Sequence, residues 1–159
     1  MNRYLIVATE AELQLLQSRT ALDAGYKPIV TGVGGTNVIR ALKGLPRKSK
    51  LWNVGYCGSN RYPVGHVLMI GSTRLWHPNV DFKEEVFNLT DVSETICLTA
   101  GDFVLNGEDL PVKSVVDMEL AYIAAFGFQS LRAVKYVSDN LNLKQYNQTI
   151  KNTHENLKG

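Results

Sequence analysis

Apolar residues in this chain come in short runs separated by polar, helix-patterned stretches. Tyr4 to Ala8 is a strand-like run, and Glu10 to Ala24 follows as an amphipathic helix with Leu13, Leu16, Gln17 and Thr20 on one face and Leu15 beside it. Lys27 to Val30 predicts a second strand, Gly32 to Thr36 a flexible loop, and Asn37 to Leu45 a helix closed by Gly44 and Pro46. Leu51 to Val54 predicts a strand that enters a glycine loop, Gly55-Tyr56-Cys57-Gly58, and Val64 to Ile70 a further buried strand. Arg74 to Asn88 is polar and aromatic and follows neither period. Thr95 to Leu98 and Val112 to Val116 read as strands, with a turn at Ala100-Gly101-Asp102 between them. Glu119 to about Phe126 reads as a helix, with Met118, Ala121, Tyr122 and Ala125 on its buried face. Leu131 to Val137 is the last strand and Leu143 to Leu157 a polar terminal helix. This alternation predicts an α/β fold, a single domain with a mostly parallel or mixed central sheet flanked by helices.

A chain of 159 residues fits one domain, residues 1–159, which buries about two-thirds of its unfolded surface. The formal net charge of +2 is scattered, and its one dense basic stretch, Arg47-Lys48-Ser49-Lys50, lies in a turn before a strand, where it reads as a solvated loop. Long nucleic acid is therefore not expected as a partner. Cys57 and Cys97 form no CxxC and have no His pair nearby, so reduced thiols, a cytoplasmic location and no metal site are expected. No apolar run approaches the roughly 20 residues of a membrane span, and no membrane association or targeting segment is expected.

Carboxylates at strand ends change this neutral picture. Asp117-Met118-Glu119 and Val137-Ser138-Asp139 each close an apolar run, and ligands of open α/β sheets bind beyond the carboxyl ends of strands. Such a site suits a polyhydroxylated or basic ligand. Glu119 opens a helix, which is a structural reason for an acid, but its carboxylate also suits vicinal hydroxyls and a ring that becomes oxocarbenium-like. Asp139 caps the following segment or, in a desolvated cleft, donates a proton to a leaving group. Glu12, one turn into the first helix, is a surface acid or a base for water. The two glycine loops match neither the dinucleotide fingerprint nor a P-loop.

Taken in order, Ala8-Thr9-Glu10-Ala11-Glu12, Thr31-Gly32-Val33-Gly34, Asn53-Val54-Gly55-Tyr56-Cys57-Gly58, Val64-Gly65-His66-Val67, Ala100-Gly101-Asp102, Val116-Asp117-Met118-Glu119 and Val137-Ser138-Asp139 resemble the nucleoside phosphorylase and nucleosidase superfamily. The resemblance is closest to 5'-methylthioadenosine/S-adenosylhomocysteine nucleosidases, in a shortened form. It implies hydrolysis of the N-ribosidic bond of a purine nucleoside without metal or cofactor, in a homodimer or larger homo-oligomer. Residue by residue, it implies Glu119 as ribose-hydroxyl acceptor, Met118 as the apolar neighbour under the sugar, and Asp139, supported by Ser138, as the acid at purine N7. Glu12 matches the residue that positions and deprotonates water. Gly55, Tyr56, Cys57, Phe103, Val104 and Leu105 are expected to line the substrate pocket, and Tyr146 is either an aromatic lid or a packing residue.

The chain departs from that pattern at several points. Phosphorylases of the superfamily carry an arginine where this chain has Asn53, so water is the expected nucleophile, with phosphorolysis as the alternative through Arg40, Arg61 or Arg74. Tyr56 replaces a small hydroxyl residue, and Val104 stands where the family stacks a Phe on the base, with Phe103 one position early. A hairpin after the first helix and a helix between Asn88 and Thr95 are expected to be missing. A catalytically inactive nucleoside-binding module and ribosyl transfer to another base are the further alternatives.

Overall fold

The computed structural model describes residues 2–77, 85–102, 104 and 110–158. Nine strands among them form one mixed sheet: β1 (Arg3–Val7), β2 (Lys27–Val30), β3 (Lys50–Gly58), β4 (Val67–Met69), β5 (Ser72–Leu75), β6 (Phe87–Asn88), β7 (Ile96–Thr99), β8 (Ser114–Asp117) and β9 (Ser130–Asp139). The helices are a 3₁₀ helix at Glu10–Gln14, α1 (Leu16–Asp23), α2 (Gly35–Leu42), α3 (Leu120–Ala125) and α4 (Leu143–Lys158). The strands β2, β1, β3 and β9 run parallel in that order, with β4 antiparallel at the edge of β9. A second parallel group, β8, β7 and β5, ends in the antiparallel β6. The two groups meet at a single antiparallel pair, Gly58 opposite Val116.

Each face of the sheet has its own core. Ile6, Leu51, Ala133 and Val137 pack with Val38 and Leu42 of α2 and Leu120 and Ile123 of α3, while Leu5, Val7, Trp52, Val54 and Val134 pack with Ala21 of α1. Alternating side chains of β1, β3 and β9 thus go to opposite layers, as both faces of a parallel sheet require.

Several expectations are corrected. The first helix is interrupted at Leu15, whose backbone is extended, so the periodicity restarts: Ser18 and Ala21 are buried and Leu16 is 72% exposed. The segment Gly55 to Gly58 is the second half of β3, not a loop, because its glycines sit inside a strand where neighbouring side chains crowd the backbone. Val64 to Ile70 yields only the three-residue β4, with Val67 and Met69 exposed. Val112 is exposed in a turn before β8. The buried face of α3 is Leu120, Ala121 and Ile123, whereas Ala125 faces solvent. The patternless segment contains β5 and β6 on either side of residues 78–84, which lie outside the described residues.

Candidate active site

The cleft exists because β1 stops short. Its last pair with β3 is Ile6 opposite Asn53, yet β3 continues to Gly58. The 3₁₀ helix after β1 folds Glu12 back into the vacated edge. Glu12 Oε1 accepts the N–H groups of Ala8 and Thr9, each at 2.9 Å, and the Thr9 hydroxyl at 3.3 Å, while Oε2 accepts the Tyr56 N–H of β3 at 2.8 Å. The reach back to the preceding N–H groups is one half of a capping box. Burial pushes the Glu12 carboxyl above its ordinary range, against the pull of Lys135 and of these N–H donors.

A β-bulge delivers Asp139. The parallel pairing of β3 with β9 runs in register to Cys57 opposite Val137 and then skips Ser138, so that Gly58 faces Asp139. Asp139 Oδ1 accepts the N–H groups of Leu141 at 2.9 Å and Asn142 at 3.2 Å, and Oδ2 lies 2.7 Å from the Ser138 hydroxyl. Ser138 Oγ is also 3.2 Å from the Cys57 carbonyl, so its one proton has two acceptors. Protonation of Asp139 on Oδ2 satisfies both, and burial moves its carboxyl in that direction. A side chain at Gly58 would press on Asp139 Oδ1 at 2.9 Å, which is why a glycine ends β3.

Asp117 and Glu119 come from the end of β8 but differ in kind. Asp117 is sequestered: Oδ1 accepts the Thr99 hydroxyl at 2.6 Å, and Oδ2 accepts the Leu120 N–H at 2.8 Å and meets Lys135 Nζ at 3.0 Å. Burial opposes its charge, yet Lys135, Thr99 and Leu120 hold the carboxyl below its ordinary range. Glu119, at the N-cap of α3, accepts the Gly34 N–H at 2.7 Å through Oε2. Burial, and then the negative charge of Asp117, raise it to about 7. The helix start alone would lower it, so desolvation wins.

These groups line one cleft, whose empty space, open mouth included, is about 560 Å³. Of the residues expected at the site, Glu12, Tyr56, Cys57, Val104, Met118, Glu119, Ser138 and Asp139 line it, as does Tyr146 of α4. Gly55 does not; it lies beneath Glu12, where a side chain would strike Oε2 at 2.8 Å. Phe103 and Leu105 lie outside the described residues. Burial pushes the Cys57 thiol far up, so it is a neutral wall rather than a nucleophile. Lys135 escaped the sequence reading although it had a signal, a lysine in the middle of the apolar run Leu131 to Val137. Thr9 and Val33 also line the cleft.

The positions considered for phosphate binding are elsewhere. Asn53 is buried and its amide donates to the Ile6 carbonyl at 2.9 Å. Arg61 donates to the Leu110 carbonyl at 2.8 Å, and neither Arg40 nor Arg74 lines the cleft. Among the described residues, no Lys, Arg or His lines it. No group of His, Cys, Asp and Glu among the described residues is arranged to hold a metal ion.

No protein-family model matches the chain, and no curated protein matches it in sequence. Solved structures do match its fold. A form of MTAN from Chlamydia trachomatis bound to MTA superposes with a TM-score of 0.73 at 18% identity, over 98% of this chain and 93% of that one. The 5'-methylthioadenosine/S-adenosyl homocysteine nucleosidase of Helicobacter pylori gives 0.69 at 13% identity, over 96% and 92%. The native futalosine hydrolase of Helicobacter pylori strain 26695 gives 0.68 at 13%, over 96% and 92%. The chain has the fold of these nucleosidases, an α/β mixed sheet with flanking helices.

Proposed function

We propose that this protein is a purine nucleosidase that hydrolyses the N-ribosidic bond of a nucleoside such as 5'-methylthioadenosine or S-adenosylhomocysteine, with water as nucleophile. The observation that carries the reading is the convergence of Glu12, Glu119 and Asp139 on one cleft whose described lining holds no cation. A phosphate dianion there would face several carboxyl groups with no cation in the described lining to balance it, whereas water and a neutral nucleoside would not be repelled.

In this reading Asp139, whose carboxyl burial moves toward the protonated form, gives its proton to purine N7 as the C1'–N9 electron pair leaves with the base. Glu119 accepts the ribose hydroxyls, and its charge supports the sugar as it becomes positive. Met118 packs under the ring. Glu12 takes a proton from the water whose oxygen bonds to C1', so one water is consumed for each base released. Each carboxylate serves one end of the same barrier. The reading requires neither metal nor cofactor. It places the protein in the cytoplasm, as a homodimer or larger homo-oligomer; the two buried free thiols and the nucleosidase fold support it. Among the described residues, no helix is long and apolar enough to cross a membrane.

The test is release of free base from methylthioadenosine, S-adenosylhomocysteine, adenosine, inosine, guanosine and their deoxy forms, with and without phosphate. Phosphate-independent release is expected. Release only with phosphate would replace water as the nucleophile, and ligand-induced thermal stabilisation without release would make the protein a nucleoside-binding module.

A further inference from the structure

Lys135 lies in the middle of β9, and its side chain and that of Asp117 are 1% and 0% exposed. Burying an ammonium and a carboxylate together costs several kcal/mol of desolvation, and an apolar pair often serves a core as well or better. The position of Lys135 relative to the cleft accounts for the charge. Gly55 is in register with Lys135 on the neighbouring strand. A methyl group on Gly55 would fall 3.3 Å from Lys135 Nζ and 2.8 Å from Glu12 Oε2. The ammonium and the carboxylate therefore flank the same small space, Glu12 on the cleft side and Lys135 behind it.

Among the described residues, the titratable groups facing the ammonium are Asp117 of β8, Cys97 of β7, Glu119 at the start of α3, Glu12 of the 3₁₀ helix and Cys57 of β3. Both thiols are pushed up by burial and stay neutral. One positive charge thus serves three carboxylates. Burial would strip its proton, but Asp117, Glu119 and Glu12 together retain it.

We propose that Lys135, anchored by Asp117, is a positioning residue for nucleoside cleavage: from behind Gly55 its ammonium draws Glu12 toward the charged form that accepts the proton of the attacking water, without touching substrate. This rests on the nucleosidase reading of the cleft. Asp117 fixes the ammonium, and the hydrogen bonds from Ala8, Thr9 and Tyr56 fix the carboxylate, so the two charges keep a constant separation.

The experiment compares wild type, Lys135→Met, Lys135→Arg and Gly55→Ala. Two readouts are used: the pH profile of kcat with 5'-methylthioadenosine, and the titration of Glu12 followed by carboxyl carbon NMR. Lys135→Met is expected to move the acidic limb of kcat and the Glu12 midpoint upward together by about one pH unit or more, with KM little changed. The plateau returns at higher pH. Lys135→Arg restores the wild-type limb. Gly55→Ala, which keeps every charge but wedges the pair apart, shifts both readouts in the same direction and gives the answer if Lys135→Met does not fold. An unshifted Glu12 midpoint in the folded variants overturns the proposal, as does an equal loss of kcat at every pH. If wild type releases no base from any nucleoside, the nucleosidase reading fails, while the NMR titration still decides whether Lys135 governs Glu12.

Discussion

The Glu119 carboxylate accepts the Gly34 N–H at 2.7 Å across 85 residues of chain, so one side chain ties the loop before α2 to the start of α3. That carboxyl is raised from its ordinary 4.5 to about 7. A carboxyl raised in the native state binds more protons folded than unfolded between those values, so stability falls as pH rises through the window and levels above it. Thermal melts from pH 4.5 to 7.5 should show wild type losing stability relative to Glu119→Gln, which lacks the titration. Parallel curves would remove Glu119 as the group responsible.

The same ionisation governs binding. A ribose diol donates hydrogen bonds and favours the charged acceptor, so KM for a ribonucleoside should fall as pH rises from 6 to 8. Glu119→Gln should raise KM by about 10- to 100-fold and flatten its pH dependence. A KM for Glu119→Gln equal to that of wild type would place the sugar elsewhere.

Asp139→Asn keeps an oxygen that accepts the Leu141 and Asn142 N–H groups, so the turn after β9 should survive. It cannot protonate a leaving base, and kcat should drop by about 10²- to 10⁴-fold with a melting temperature within a few degrees of wild type. An unchanged kcat would exclude Asp139 as the acid.

Asp117 is held below its ordinary 3.8 by Lys135 despite its burial, so it contributes stability that is present above that value and is lost as pH falls through the lower, native one. Asp117→Asn leaves the buried ammonium without its partner and should cost about 3–5 kcal/mol in urea unfolding at pH 7. The double variant Asp117→Leu with Lys135→Met should cost less than either single change. A single-variant loss under about 1 kcal/mol would mean that the pair is solvated.

Helix α4 is fastened to the cleft by two threonine side chains that reach β9 and β3. Thr149 donates to the Ser138 carbonyl at 2.8 Å, and Thr153 shares a hydrogen bond with the Tyr56 hydroxyl. Replacing both threonines with valine should remove about 1 kcal/mol per bond and speed amide hydrogen exchange along α4. Through Tyr146, KM should rise more than kcat falls. Unchanged exchange would show that the helix is held by other contacts.

Strands β1, β7, β8 and β9 were legible because each carries a short run rich in apolar, strand-forming residues, and the acids after β8 and β9 were legible as a site because ligands of open α/β sheets bind beyond strand ends. What stayed hidden depends on distant contacts. Gly55 and Gly58 read as loop residues, since nothing local says that Glu12 and Asp139 occupy the space beside them. The helix face centred on Leu13 and Leu16 was misread because the extended backbone at Leu15 resets the period. Lys135 looks like a solvated residue of a half-exposed strand until β8 places Asp117 against it. The carboxylates announced a site; what shifts their protonation is burial, opposed at Glu12, Asp117 and Glu119 by the buried Lys135 ammonium.

The single pair of Gly58 with Val116 has a mechanical meaning. Among the described residues it is the one backbone ladder pair between the two sheet halves, which the buried Lys135–Asp117 ion pair and the Ser59 hydroxyl's bond to the Ser114 carbonyl also join. The cleft opens beside it, with Glu12 and Asp139 on one bank and Asp117, Met118 and Glu119 on the other. A molecule seated there is mortar in a seam. Its grip on both banks would join the halves more firmly than the bare chain does, so an occupied protein should resist pulling and proteolysis as one block where an empty one yields along the joint.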